Sequence, residues 1–457
     1  MTRCFIGVCT VLLGLVAYGF PALAQEASTR LEKETDKLLG KVSCEVIFEE
    51  IIPLIPPNFE GAALWKRVVG VEGKDRPRDL VALADGGSVM VGETLPFDRQ
   101  KGESPALLHL LRLDKGGVVK VETRTPIKNL SSVSAGGVLK DRIVVLSHIK
   151  PSDKEDEMLL SFFDGAGSLK TSAPLRDPKM RLVPKDIVVE AGAKSMLIAA
   201  EAIHPKNEED HYSLLIRVDE TGKELSRKEY LPGVPNQIEG LKRLSGGQVL
   251  ALGRVESERG RESGWILRVA KFGDILQQRA YPRGENALLR RAAVLPDGSL
   301  VVIGDSIPAQ DGARAAWIMK LSPSGEPLWQ KYITGKYSYA GLDVAVLPDG
   351  RIAALLGGRP DGSGGRQYAR VITFTGLGHM VADESYIEGN NTLPEKMLVS
   401  GSDRLLIGMA ETGFSKYAQG DENRLQTYDS LVLKMTPLPA FTDSCAKGTR
   451  EKLDDLP

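Results

Sequence analysis

Short apolar runs separated by glycine-containing turns recur along most of the chain. In the clearest stretch, Leu295–Gly335, the turn Pro296–Gly298 precedes an apolar run at Leu300–Ile303, and a second turn ending at Gly325 precedes another run at Leu328–Ile333. Asp-Gly between apolar runs is a strong hairpin signal, because such turns need residues that tolerate positive φ. The pattern predicts two hairpins, which is the strand content of one propeller blade.

Both turns recur at nearly constant spacing. Positions matching Asp297 of the first turn are Asp85, Lys140, Ala193, Gly246, Asp349 and Ser402. Their successive spacings are 55, 53, 53, 51, 52 and 53 residues. The second turn recurs at Gly116, Gly167, Gly222, Gly273, Gly325 and Gly378. Self-similarity at this period indicates seven repeats of one unit. A solenoid is the rival architecture, but it would need distinct polar end caps.

The two ends of the repeat region are complementary. The last repeat has a third strand at Ser430–Met435 and then breaks at Pro437 and Pro439, whereas Ala62–Val69 precedes the first repeat without a partner of its own. We expect Ala62–Val69 to complete the last blade, which would remove open sheet edges. The predicted fold is therefore all-β, a seven-bladed β-propeller with four-stranded blades, closed by the N-terminal strand.

The repeats resemble those of secreted and periplasmic bacterial β-propellers with Asp-Gly hairpins and tryptophan-containing blades. Trp265, Trp317 and Trp329 occupy the tryptophan positions of that repeat, and the resemblance extends over residues 62–436. It implies the propeller fold and leaves the activity open, since such folds host unrelated functions.

The N-terminal region has the pattern of an export signal. Arg3 precedes an uncharged apolar stretch, Cys4–Phe20, and small residues lead to a cleavage site after Ala24. A membrane-anchoring helix is the alternative. The predicted organisation is a signal peptide at 1–24, a helix and an extended strap at 25–59, the propeller at 60–440 and a tail at 441–457. The predicted location is periplasmic or secreted, with no transmembrane segment after signal removal.

Two of the four cysteines, Cys44 and Cys445, lie outside the signal segment, one near each end of the mature chain. An oxidising compartment favours a disulfide between them. Two separate thiols are the alternative.

Composition excludes little. The formal net charge of −1 gives no support to nucleic-acid binding, which usually shows as a basic excess. No nucleophile motif or phosphate-binding loop is present, and His204 and His211, seven residues apart in an acidic loop, match no tight metal motif. We therefore predict no catalytic residue, no metal and no cofactor, and a monomer.

Charged residues precede the first turn in most repeats, where inner strands of a propeller enter the central channel. The candidate binding residues at this channel mouth are Arg78, Asp79, Asp186, Glu239, Arg290, Arg291, Asp343 and Glu395. Solvated strand ends are the alternative explanation for these charges.

Two functions remain open from the sequence. We favour a non-enzymatic binding or scaffold module that engages an exported protein, a glycan or another polar small molecule at the channel mouth. The alternative is a propeller hydrolase or lyase that uses rim carboxylates, with or without a metal.

Overall fold

The computed structural model describes residues 44–54, 60–98, 102–103, 105–152, 155–190, 192, 194–231, 234–256, 260–282, 284–307, 314–335, 338–359, 366–414, 426–441 and 445. The predicted signal peptide and the predicted helix at Glu26–Val42 lie outside these residues. The described chain divides into a small unit containing the Cys44–Cys445 disulfide, with a Cα–Cα distance of 5.4 Å, and a large unit, Ile47–Ala440. No helix among the described residues is long and apolar enough to span a membrane.

The large unit is almost entirely β. Two strands come first, β1 (Glu49–Leu54) and β2 (Ala63–Val69), and sets of consecutive antiparallel strands follow. The first sets are β3 (Gly73–Ala82), β4 (Ser88–Asp98), β5 (Gly102–Glu103), β6 (Leu107–Leu113) and β7 (Val119–Pro126); β8 (Leu130–Leu139), β9 (Arg142–Ser152), β10 (Glu155–Phe163) and β11 (Leu169–Leu175); and β12 (Arg181–Val189), β13 (Ser195–His204), β14 (Asn207–Asp219) and β15 (Glu224–Tyr230).

The remaining sets follow the same plan. They are β16 (Asn236–Arg243), β17 (Val249–Glu256), β18 (Glu262–Val269) and β19 (Ile275–Tyr281); β20 (Glu285–Val294), β21 (Leu300–Ile307), β22 (Ala315–Leu321) and β23 (Pro327–Gly335); β24 (Ser338–Val346), β25 (Ile352–Arg359), β26 (Ala369–Phe374) and β27 (Met380–Tyr386); and β28 (Thr392–Ser400), β29 (Asp403–Phe414) and β30 (Gln426–Met435). A 3-10 turn, Ser245–Gly247, joins β16 to β17. We call β3, β8, β12, β16, β20, β24 and β28 the inner strands.

Strand pairing gives sheets of four strands in most of the described chain. Four sheets have four strands, one has five and one has nine. The nine-stranded sheet forms because β30 pairs antiparallel with β2 and also makes one parallel bridge to β3, between Tyr428 and Lys74. The predicted pairing of Ala62–Val69 with the third strand of the last repeat is therefore present.

The predicted N-terminal strap is in part a regular strand. Glu49–Leu54 pairs parallel with β23 and adds a fifth strand to that sheet. Buried polar side chains hold it there: Gln330 Nε2 donates to Glu49 Oε2 at 2.7 Å, and Lys331 Nζ donates to Glu50 Oε2 at 2.6 Å. The sequence predicted an extended strap here and did not indicate its pairing with β23.

The core lies between the faces of consecutive sheets. One apolar cluster joins Val144 and Phe162 of one sheet to Met196 and Ile216 of the next, all fully buried. Alternation along each strand sends side chains to both faces, so that a sheet can pack on a neighbour at either face. The turns predicted from Asp-Gly adopt the required conformation, as at Gly298, where φ is 79°.

Candidate functional site

Every inner strand carries a one-residue bulge at the same level. The register with the neighbouring strand shifts around a single unpaired residue, which is Arg78, Ser134, Lys185, Glu239, Arg290, Leu342 or Glu395. A bulge re-aims the side chain of the extra residue. All of these residues line one cavity of about 300 Å³, which we call the mouth.

The sequence-predicted residues fall into two layers. Arg78, Glu239, Arg290 and Glu395 line the mouth. On five inner strands the residue directly after the bulge is charged, and we call these residues the inner layer: Asp79, Asp186, Arg291, Asp343 and Lys396. That layer lines a second, larger cavity of about 1020 Å³, the channel, and Arg291 borders both cavities. Their role in binding stays a prediction.

Lys185 and Ser134 also line the mouth, and neither was among the predicted binding residues. Counting back from the turn assigned Asp186 to this level, but the β12–β13 loop, measured between the last paired residues, is one residue longer than the β3–β4 loop. The unpaired residue is therefore Lys185, and Asp186 belongs to the inner layer. The bulges cannot be recognised from residue type, because the unpaired residue differs between the inner strands and ranges from arginine to leucine.

The carboxyl group of Glu395 lies between a cation and another acid. Its Oε1 is 3.5 Å from Arg78 Nη1, and Arg78 is held in turn by the fully buried Glu93, with Nη2 to Oε1 at 2.8 Å. Burial raises the pKa of Glu395, Arg78 opposes this, and the like charge of Glu93 raises it further. About a third of the side chain, 34 %, stays exposed. Glu395 is therefore a carboxyl group that holds its proton to a higher pH than usual and can still reach a ligand.

A second carboxylate, Glu239, lies beside an ammonium group. Lys185 Nζ is 3.4 Å from Glu239 Oε1 and 3.0 Å from Glu201 Oε2. Glu201 is buried, and its Oε1 is 3.0 Å from His211 Nδ1. Burial would raise the pKa of Glu201, but the contact with His211 and the charge of Lys185 outweigh it and lower the pKa to about 2.

Arg290 supplies a positioned guanidinium on the same rim. It donates to Asp305 Oδ1 through Nε at 3.1 Å and through Nη2 at 2.6 Å. Arg314 contacts the other oxygen of the buried Asp305 at 3.0 Å. Because two arginines share one carboxylate, the group formed by Arg290, Arg314 and Asp305 has a net positive charge.

The inner-layer aspartates are bound to the backbone. Each accepts an N–H from the residue after it and a second N–H from the next inner strand: Gly136 for Asp79, Leu241 for Asp186 and Met397 for Asp343, at 2.9, 2.9 and 3.0 Å. Asp79 also pairs with Lys396, and Asp186 lies 3.7 Å from Arg291. These carboxylates connect neighbouring sheets.

The described residues contain no group of three or more His, Cys, Asp or Glu side chains arranged to hold a metal ion. His211, considered from the sequence as part of a loop metal site, contacts Glu201 instead.

Comparison with known proteins bears on the fold. Scans of family models and of curated proteins found no match. Among solved structures, the extracellular domains 1–2 of Drosophila semaphorin 1a match with a TM-score of 0.48 at 9 % identity, over 84 % of this chain and 90 % of that one. The Penicillium chrysogenum α-L-arabinanase matches with a TM-score of 0.46 at 12 % identity, over 69 % and 98 %.

Puromycin hydrolase also matches, with a TM-score of 0.44 at 16 % identity, over 74 % of this chain and 50 % of that one, so this chain spans half its length. The structures found include an arabinofuranosidase and a polysaccharide lyase by their titles. The expectation of a non-enzymatic scaffold is not kept: a missing motif in the sequence does not indicate a scaffold, and the structures named here include a hydrolase, two glycosidases and a lyase by their titles. These similarities assign neither a family nor a reaction to this chain. The observation that agrees with propeller blades is its own series of four-stranded antiparallel sheets.

Proposed function

We propose that this chain is an exported hydrolase built on a seven-bladed β-propeller, with its active site at the mouth. The channel is bordered by every inner strand. Residues far apart in sequence meet in the two cavities: Glu395 with Arg78 in the mouth, and Lys396 with Asp79 in the channel. These contacts, and the pairing of β2 with β30, support seven blades in a ring that β2 completes. The disulfide is compatible with export.

The observation that carries the proposal is the pair of lightly held carboxyl groups, Glu239 and Glu395, in one cavity. Among the described residues, the carboxylate of Glu239 contacts Lys185 and that of Glu395 contacts Arg78. Asp79 and Asp186, two other acids predicted at the channel mouth, have their oxygens occupied by backbone N–H groups. Two acids in different environments are the arrangement that acid–base hydrolysis needs.

The roles follow from those environments. Glu395, whose pKa is raised, donates its proton to the leaving group as the bond to that group breaks. Glu239 accepts a proton from a water molecule whose oxygen forms the new bond. Protein groups account for every proton in this reaction.

The charge of the mouth favours an anionic substrate. Four cationic side chains line it, Arg78, Lys185, Arg290 and Arg291, against the two carboxyl groups Glu239 and Glu395. Arginine matches a carboxylate or phosphate in two hydrogen bonds. We propose a polar substrate that carries such a group, for example a carboxylate-bearing glycan.

The test is a substrate panel with matched variants. Mature protein is incubated with neutral and acidic oligosaccharides and with carboxylate-bearing esters and amides, with and without a chelator. We expect turnover of an acidic substrate that the chelator does not change, and a loss of about 10²-fold or more in Glu395→Gln and in Glu239→Gln. Glu209→Gln, at an exposed position near the start of β14, is the control. Turnover that survives both mouth substitutions would contradict the assignment.

A further inference from the structure

One ring of positions in the channel contains a single lysine among small and apolar side chains. In a strand, residues two positions apart have their side chains on the same face. The residues two positions after the level of the inner layer therefore also face the channel. The positions there are Val81, Gly137, Val188, Lys242, Ala293, Ala345 and Leu398, and all of them line the channel. Lys242 is therefore the cation of an otherwise uncharged ring.

No described residue neutralises Lys242. No carboxylate lies within ion-pair distance of its ammonium group among the described residues, and the three aspartates of the channel are bound to backbone N–H groups and, for Asp79, to Lys396. Burial lowers the pKa of Lys242, with an opposing contribution from Asp343 and a further lowering by Lys396 and Arg243. The nearby charge is thus mostly of the same sign.

The channel as a whole carries excess positive charge. Its charged lining comprises five cations, Lys242, Arg243, Arg268, Arg291 and Lys396, and three anions, Asp79, Asp186 and Asp343. Two of these cations already have hydrogen-bond partners in the protein: Arg243 donates to the Val189 carbonyl and Arg268 to the Gln248 side chain. Lys242 is therefore the channel cation whose charge an anionic ligand would neutralise.

We propose that the channel binds a small organic carboxylate, with its anionic group at Lys242 and its apolar body against Val81, Val188 and Leu398. The volume of about 1020 Å³ is ample for such a ligand. This site is separate from the mouth: on five of the seven inner strands a charged residue of the inner layer lies between the bulge residue and the ring of Lys242. The proposal does not depend on the hydrolase assignment.

Calorimetry on the mature protein tests this site with three probes: octanoate for the anion with an apolar body, inorganic phosphate for the anion alone, and octanol for the apolar body alone. We expect octanoate to bind more tightly than either of the others. Lys242→Met should weaken octanoate binding at least tenfold, whereas Lys271→Met, at an exposed lysine, should leave it unchanged. Thermal unfolding of both variants checks that they fold.

Proton uptake separates a direct contact from a structural role. At pH 9, octanoate binding measured in two buffers of different ionisation enthalpy should take up protons in wild type and take up none in Lys242→Met. The proposal is overturned if octanoate fails to bind wild type, or if Lys242→Met binds it equally well. Binding lost in Arg290→Gln but kept in Lys242→Met would place the anion at the mouth and would also overturn it.

Discussion

At the scale of single residues, the inner-layer aspartates join strands that are distant in sequence. Asp186 Oδ1 accepts the N–H of Ile187, and Oδ2 accepts that of Leu241, 55 residues away. Both donors belong to inner strands, so that one buried side chain fixes the spacing of two sheets. A buried N–H that loses its acceptor keeps the full cost of leaving water.

Replacement of Asp186 tests this role. In Asp186→Asn one carboxylate oxygen becomes an NH2 group, which faces an N–H donor and cannot accept from it. We expect a loss of about 1–3 kcal/mol in the free energy of unfolding, measured with urea. Asp141→Asn, in an exposed turn, should change it by less than about 0.5 kcal/mol. Equal stability of the two variants would contradict the proposed link.

The pair formed by Glu201 and His211 makes stability depend on pH. The pKa of Glu201 is lowered from its ordinary value of 4.5 to about 2, so its contribution is present above pH 4.5 and is lost as the pH falls through about 2. The pKa of His211 is raised above 6.5, first by its contact with Glu201, so its contribution is lost as the pH rises through that raised value.

In Glu201→Gln we expect a loss of about 3 kcal/mol at pH 6, because Lys185 and His211 lose a buried partner. The difference from wild type should shrink as the pH falls from 4.5 to 2. Urea unfolding at several pH values measures this, with Glu209→Gln as the control. A difference that stays constant with pH would argue against the pairing.

At the scale of secondary structure, β2 contributes more than an edge strand. It pairs with β30 from Ala63 to Val69, and Arg67 Nε donates to the carbonyl of Gly117 at 2.8 Å, in a turn of the first repeat. The Trp65 ring also fills the space where Gly117 would carry a Cβ. β2 therefore contacts the last and the first repeats together.

Deletion of Ala63–Val69 should expose the edge of β30 and remove these contacts. We expect aggregation at concentrations where the full chain stays in solution, measured by light scattering, because unpaired strand edges pair with other chains. A deletion variant that stays monomeric and as stable as the full chain would show that β2 is dispensable.

The sequence revealed the strands better than it revealed the bulges. Asp-Gly turns and the spacing of apolar runs placed β21 and its equivalents, because those signals are local. The parallel strand β1 was missed because its partners, Gln330 and Lys331, are polar residues that read as an exposed outer strand. The position of Lys185 in the mouth was missed because the register of β12 depends on the length of the loop that follows it. The spacing of apolar residues does not reveal that length.

At the scale of the whole molecule, the chain's near-zero net charge conceals two cavities with excess cations. The mouth and the channel each have two more cationic than anionic side chains in their lining, although the chain as a whole has a net charge of −1. Charge lining a concave site attracts ligands of opposite sign. Total composition could not indicate this, because acids outside the two linings balance the sum, among them the buried Glu93, Glu201 and Asp305.

The disulfide acts at this scale too, since Cys44 and Cys445 enclose 401 positions. Replacing both by alanine should lower the free energy of unfolding by about 2–4 kcal/mol, since the cross-link restricts the unfolded chain. Denaturation with and without reductant measures this, and wild type with reductant should match the double variant. A reductant effect that persists in the double variant would show another cause.

The hydrolase assignment is tested most directly by the origin of the oxygen in its product. A substrate found in the panel is turned over in ¹⁸O-labelled water, and the products are weighed by mass spectrometry. The account predicts one labelled oxygen per cleaved bond, at a rate that falls about 10²-fold or more in Glu395→Gln. Unlabelled products with a new double bond would show elimination, and labelled products formed as fast by Glu395→Gln would remove that residue from the reaction. Either result would contradict the proposed mechanism.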